Sequence, residues 1–235
     1  AQKMEKTKDV VYVSAGEGTT SQGDFHEALN WASNAKAPVI FHIQDNEYAI
    51  STHKSEQTAD SIYAMTAGYK NLSRYDVNGT DYFETNLAFK QAVERARKGK
   101  GPSLIVSNVV RLLPHSSSDD QRKYRTENDL AEDRKRDPLT VLKDQCIQDK
   151  IISKKEFEKV RNEIETQVDS DAEWADAQDH PDVDTVLEHI YSVDTAVDEP
   201  EINAIAEKIV IVDAINHALK EEMARNDKMV IYGQD

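Results

Sequence analysis

Within residues 10–43 a strand, a glycine-punctuated turn, a helix and a second strand follow one another, and this order narrows the possible folds more than any other feature. Val10 to Ser14 is a β-branched run that ends at Gly16-Glu17-Gly18-Thr19-Thr20-Ser21-Gln22-Gly23-Asp24. Phe25, Ala28, Leu29, Ala32 and Ala35 then share one helical face at three- and four-residue steps. Pro38 is expected to stop that helix, and Val39 to Ile43 is the next strand. The alternation continues with a helix over Ser61 to Tyr69, a short strand over Arg74 to Val77, a helix over Phe83 to Lys98 and a strand over Ser103 to Val110. Such alternation predicts an α/β fold, a parallel sheet flanked by helices.

Beyond Arg111 the character changes. Pro114 to Asn128 is polar, has no apolar periodicity and is longer than an ordinary connection, so it reads as a functional or disordered loop. Two charged helices follow, Leu139 to Asp149 and Lys154 to about Gln178, and they read as solvated. His180-Pro181-Asp182 breaks the pattern, and the stretch Ser192 to Ile202 resembles a linker. A second α/β piece is then expected: strand Lys208 to Val212, helix Asp213 to Arg225, strand Met229 to Tyr232. The implied organisation is an α/β part over 1–137, an acidic helical extension over 138–191, a linker over 192–207 and the start of another domain over 208–235. Both ends read as truncated, because the first residue is not methionine and the last strand has nothing to cover it.

A net charge of −15 and a pI near 4.9 argue against nucleic-acid binding and against a polybasic membrane anchor, each of which needs clustered positive potential. No apolar run has the length that spans a bilayer, and the first ten residues lack a signal-peptide centre, so a cytoplasmic location is expected. The single cysteine, Cys146, has no partner for an intramolecular disulfide and no metal-ligand neighbours, and it reads as a half-buried helix residue.

The segment from Gly16 to Asn46 carries the chemistry. Glu17 lies at the carboxyl end of one parallel strand and Asn46 at the carboxyl end of the next, where ligands of open parallel sheets bind. The two are 29 positions apart, a separation that one strand-helix-strand crossover spans, so both oxygens can return to one point. Hard cations such as Mg²⁺ take oxygen ligands of this kind, few from protein and the rest from phosphate. The glycines allow backbone N–H groups to approach phosphate, and a helix starting near Asp24 adds the positive end of its dipole.

A lone Gly-Glu-Gly is an unspecific signal. Here it is followed by Gly23-Asp24-Phe25-His26-Glu27-Ala28-Leu29-Asn30 and by Gln44-Asp45-Asn46-Glu47-Tyr48-Ala49-Ile50-Ser51. The combination resembles the thiamin diphosphate motif in the alpha subunits of 2-oxoacid dehydrogenases, where the branched-chain members often have Gly-Glu-Gly. Many relatives have Asn-Asn where this chain has Asp45-Asn46, which keeps the ligand position. The resemblance implies a thiamin diphosphate-binding fold with thiamin diphosphate and Mg²⁺ as cofactors. It implies Glu17, Asn46 and the backbone carbonyl of Tyr48 as metal ligands. It also implies Gly16, Glu17, Gly18, Thr19, Asn46, Tyr48 and His115 as the cofactor-binding set.

A second stretch, Pro114-His115-Ser116-Ser117-Ser118-Asp119-Asp120 followed by Tyr124-Arg125, is similar to the cofactor-proximal loop of the same subunits. It implies His115 as the catalytic, proton-handling group, a role suited to a side chain that titrates near neutral pH. In that loop the next serine, here Ser116, is phosphorylated in mitochondrial members. His42, His53, His180, His189 and His217 lack partners at meaningful spacing and read as structural, whereas His26 opens the motif helix and reads as packing or capping.

The resemblance to the alpha subunit runs from about Asp9 to Val193, and Ile209 to Met223 resembles the start of the beta subunit, so an alpha-beta fusion is expected. The implied activity is oxidative decarboxylation of a branched-chain 2-oxoacid, of the 2-oxoisovalerate type, with acyl transfer to a lipoyl carrier. The implied partners are the lipoyl acyltransferase component and further subunits, in a homodimer of a fusion or a heterotetramer. The glutamate that activates the aminopyrimidine belongs to the beta subunit and has no counterpart here, so the chain alone is expected not to turn over. A pyruvate or acetoin dehydrogenase of the same family is one alternative. An assembly module built on the acidic helices is another. A dinucleotide-binding unit is disfavoured, because no G-x-G-x-x-G follows the first strand.

Overall fold

The computed structural model describes residues 7–191 and 208–232. In chain order it contains β1 (Val11–Gly16), a short 3-10 turn (Glu17–Ser21), α1 (Gly23–Ala35), β2 (Val39–Asp45), β3 (Tyr48–Ala49), β4 (Thr52–His53) and α2 (Ile62–Met65). It continues with β5 (Ser73–Asn78), α3 (Tyr82–Arg97), β6 (Ser103–Asn108), α4 (Glu127–Lys135), α5 (Pro138–Gln148), α6 (Lys154–Asp176) and α7 (Ile211–Arg225). The chain divides into two units, Ala1–Glu158 and Lys159–Asp235, with the division inside α6.

In the first unit the sheet runs β1-β2-β6-β5, and every pair is parallel. The period-2 alternation of a strand sends Phe41, Ile43, Leu104 and Val106 to one face, where Phe25, Leu29 and Ala32 of α1 meet them. Ile40 and Ile105 point the other way and pack with Val77 against Ala88 and Ala92 of α3. Leu29, Leu104 and Ile105 are fully buried, each worth roughly 1.5–3 kcal/mol of hydrophobic transfer. The central strands read as continuous apolar runs because both of their faces are covered.

Several boundaries differ from expectation for identifiable reasons. α1 stops at Ala35, before Pro38, because Lys36 takes a left-handed conformation (φ 48°) and its N–H returns to Ala32 and Ser33. Ala28 and Ala35, expected on the core face, are exposed. The helix expected over Ser61 to Tyr69 is cut to Ile62–Met65, capped at its start by the Ser61 side chain. The polar stretch expected to be a loop holds a 3-10 turn, Gln121–Lys123, and the start of α4, whose Thr126 and Asp129 form a reciprocal capping box. The hairpin β3–β4 was not expected at all.

In the second unit, α7 and the part of α6 that belongs to it expose most of their apolar residues, and Leu219 is half-buried. Where a strand was expected over Lys208 to Val212, the helix already begins at Ile211, and Met229 to Tyr232 forms no strand. Ile211, Ile215 and Leu219 repeat every four residues, so the β-branched run continues into a helical pattern. The expected linker over 192–207 lies outside the described residues, as does the chain end at Gly233-Gln234-Asp235.

Candidate cofactor and metal site

β1, β2 and β6 end level with one another, with Gly16 beside Gln44 and Asp45 beside Asn108. The β1-to-β2 and β5-to-β6 crossovers run in opposite directions along the sheet, and ligands of open parallel sheets bind outside the carboxyl ends of the strands. The turn after β1 folds Glu17 inward to 1% exposure, and Thr20 fixes it by donating its hydroxyl proton to the Glu17 carbonyl at 2.6 Å. The Glu17 carboxylate accepts one hydrogen bond, from the Asn46 backbone N–H at 3.2 Å. No lysine, arginine or histidine pairs with it among the described residues. Gly18 makes this fit possible, since a Cβ there would stand 2.7 Å from the Cβ of Ala49.

After β2 the chain turns sharply. Asp45 accepts the Glu47 N–H at 2.9 Å and Asn46 Oδ1 accepts the Tyr48 N–H at 3.3 Å, while Glu47 sits at φ 71°. Lys54 returns from the far side of the hairpin to pair with Asp45. Burial pushes the Lys54 pKa down, but hydrogen bonds and charge from Asp45 and then Glu47 outweigh it and hold the pKa above its ordinary value.

The loop after β6 closes over this hairpin through Arg111 and Arg125. Arg111 donates to the Ile50 carbonyl at 2.8 Å and to the Tyr124 hydroxyl at 2.7 Å, and Tyr124 donates to Asp119 at 2.6 Å. Asp119 also accepts the backbone N–H of His115 at 2.9 Å. The Tyr124 hydroxyl, then that N–H, hold the Asp119 carboxyl below the usual carboxylate range, while burial first and Asp119 second raise the pKa of Tyr124. Arg125 is buried, donates to the Arg111 carbonyl at 2.9 Å and is ion-paired with Asp133. The Tyr48 ring lies against both guanidinium groups, 5.7 Å from Arg111 and 5.2 Å from Arg125, at distances where cation–π attraction operates.

The donor set fits a hard cation carrying phosphate. A buried carboxylate with a single N–H partner retains lone pairs and an uncompensated charge, and the carboxamide oxygen of Asn46 has a second lone pair beyond the one given to Tyr48. No three His, Cys, Asp or Glu side chains among the described residues are grouped to hold a metal. The Glu17 carboxylate and the Asn46 carboxamide are oxygen donors of the kind that Mg²⁺ accepts together with phosphate oxygens. Gly16 faces open space, so the turn has room beside it.

A family model described as dehydrogenase E1 component matches residues 1–184. The chain belongs to this family. The E1-family chain is 36% identical over 193 residues to the 2-oxoisovalerate dehydrogenase subunit alpha of Bacillus subtilis, covering 82% of this chain and 58% of that one. It is 36% identical over 165 residues to the pyruvate dehydrogenase E1 component subunit alpha of Acholeplasma laidlawii, covering 70% and 48%. Its identity to the corresponding Staphylococcus aureus subunit is 44% over 131 residues, covering 55% and 35%. The chain thus spans from about a third to somewhat over half the length of these relatives.

Of the residues singled out in the sequence, this E1-family fold brings Glu17 and Asn46 into contact and sets Tyr48 two residues further along the same turn. Gly16 and Gly18 flank Glu17, and Thr19 is exposed, with its carbonyl accepting the Gln22 N–H at 3.0 Å. His115 is exposed on the loop, which Arg111 and Tyr124 tie to the hairpin. His42, expected to lack partners, has two: the Tyr12 hydroxyl at 2.8 Å and the Ser107 hydroxyl at 2.9 Å. His26 packs on Phe25, and His53 caps a 3-10 turn and stands edge-on to Tyr48. Sequence reasoning missed Lys54 and Arg111, single charges whose partners arrive only on folding, and it named Arg125 without its ion pair to Asp133. Among the described residues, no helix is long and apolar enough to cross a membrane.

Proposed function

We propose that this chain supplies the metal- and diphosphate-binding half of a thiamin diphosphate-dependent 2-oxoacid dehydrogenase. The parent enzyme is read as an alpha-beta fusion that oxidatively decarboxylates a branched-chain 2-oxoacid and passes the acyl group to a lipoyl acyltransferase partner. The observation that carries the reading is Glu17, a buried carboxylate aimed at the Asn46 turn, with which no lysine, arginine or histidine pairs among the described residues. Such a group is costly to bury unless something positive meets it. Glu17, Asn46 and the Tyr48 carbonyl would hold Mg²⁺, and the backbone N–H groups of Gly16 to Thr19 would receive the diphosphate. His115 would hold or release a proton at an imidazole nitrogen. When bound, the cofactor supplies the carbanion chemistry.

Two relatives support different substrates. The longest of the three matches, over 193 residues, is to a 2-oxoisovalerate dehydrogenase subunit and favours a branched-chain substrate. Over 131 residues the identity to a pyruvate dehydrogenase subunit is higher, at 44%, which favours pyruvate as the second reading. Isothermal titration of thiamin diphosphate into the chain, with and without Mg²⁺, tests the site. Metal-dependent binding is expected, and Glu17→Ala with Asn46→Ala should abolish it. Binding that survives the double substitution would refute the assignment.

A further inference from the structure

The turn that presents Asn46 and Tyr48 must pass through Glu47 at φ 71°, a conformation that a non-glycine residue keeps only when its surroundings hold it. Some of the restraint is local, through the Asp45 carboxylate on the Glu47 N–H and the Asn46 carboxamide on the Tyr48 N–H. A further restraint, made directly on Glu47 and Asp45, comes from one residue across the hairpin. The Lys54 backbone N–H donates to the Glu47 carbonyl at 2.8 Å, and its ammonium reaches Asp45 at 3.1 Å and Glu47 at 3.2 Å.

The two arms of this clamp differ in strength. The Asp45 side chain is 6% exposed, so its charge has little water to fall back on, and removing its partner strands a buried carboxylate. The Glu47 side chain is 56% exposed, and its pairing is screened. Asp45 is therefore the anchor. It uses one carboxylate oxygen to hold Glu47 and the other to hold Lys54, and the strand bond from Val109 to its carbonyl at 2.9 Å fixes its backbone. No hydrogen bond runs from the Lys54 ammonium to Glu17, Asn46 or Tyr48.

We infer that Lys54 is a positioning residue that holds the Asn46–Tyr48 turn in its metal-facing form, acting through Asp45. This inference rests on the proposed metal site. It gives the chain a support that orients the ligands without touching the cation, as outer-shell partners do in metal sites generally.

The test uses the full chain with Lys54→Met and Lys54→Arg. Without cofactor, hydrogen–deuterium exchange is followed in peptides covering 45–54, with the β6 peptide as internal reference. Lys54→Met should speed exchange over residues 46–49 about tenfold or more while β6 is unchanged, and Lys54→Arg should stay near the wild type. Unchanged exchange in Lys54→Met would overturn the inference, as would equal acceleration in β6, which would mark plain global destabilisation. In a second arm, Mn²⁺ is titrated at fixed thiamin diphosphate. The half-saturating metal concentration should rise about tenfold in Lys54→Met, with cofactor affinity recovering at saturating metal. A cofactor defect that saturating metal leaves unrepaired would count against a role through the ligands. If the wild type takes up no cofactor with Mn²⁺, the site reading fails instead, and the exchange arm still decides whether Lys54 holds the turn.

Discussion

On the α3 side of β2, His42 sits between the hydroxyl groups of Tyr12 and Ser107 with its ring edge-on to Phe89. Burial lowers its pKa, so the folded chain keeps the imidazole neutral where the unfolded chain, near its ordinary value of about 6.5, begins to take up a proton. The unfolded state then binds more protons in acid. The stabilising contribution is complete above the unfolded value and is lost as pH falls through it towards the lower folded value. Thermal unfolding of the wild type and His42→Phe at about pH 7.5 and about pH 5.5 should show the wild type losing more of its stability in acid. An equal loss in both would assign the acid limit to other groups.

Between elements, the 3-10 turn approaches the β3–β4 hairpin closely at Gly18 and Ala49. The Gly18 Cβ position is 2.7 Å from a side-chain methyl in a paired strand, so Gly18→Ala must displace the turn or the hairpin. A cost of about 1–3 kcal/mol is expected, as for other overpacked contacts. Ala49→Gly on the same chain removes the opposing methyl and should restore much of the loss in denaturant unfolding. If the double substitution is no more stable than Gly18→Ala, the clash is not the cause. Neither β3 nor β4 exceeds two residues, so the hairpin depends on the turn on one side and on Arg111, Arg125 and Tyr124 on the other.

For the whole molecule, the proposed site would hold the diphosphate and the metal, and the group that activates the aminopyrimidine ring would come from another part of the enzyme. The chain by itself is expected to show no 2-oxoacid decarboxylation in a CO₂-release assay with saturating thiamin diphosphate and Mg²⁺. Turnover by the purified chain without an added partner would refute this and show a complete site.

Much of the sheet was legible in the sequence because β2 and β6 are β-branched runs bounded by glycine or proline, and because helices with apolar steps separate the strands. The meeting of Glu17 with Asn46 was legible for the same reason, since one crossover returns the second strand beside the first. What escaped had no local signature. The hairpin is too short for any periodicity, and α4 buries only Leu130 and reads as a charged loop until its capping box is seen. The run from Ile209 to Val212 fits strand and helix alike. Lys54 and Arg111 gain meaning only from partners that folding brings to them, such as Asp45 and the Ile50 carbonyl. Periodicity is written along the chain and determined the layered fold. Charge pairing depends on distances through space, so the clamp on the metal turn and the two hydroxyls around His42 were decided only by the tertiary structure.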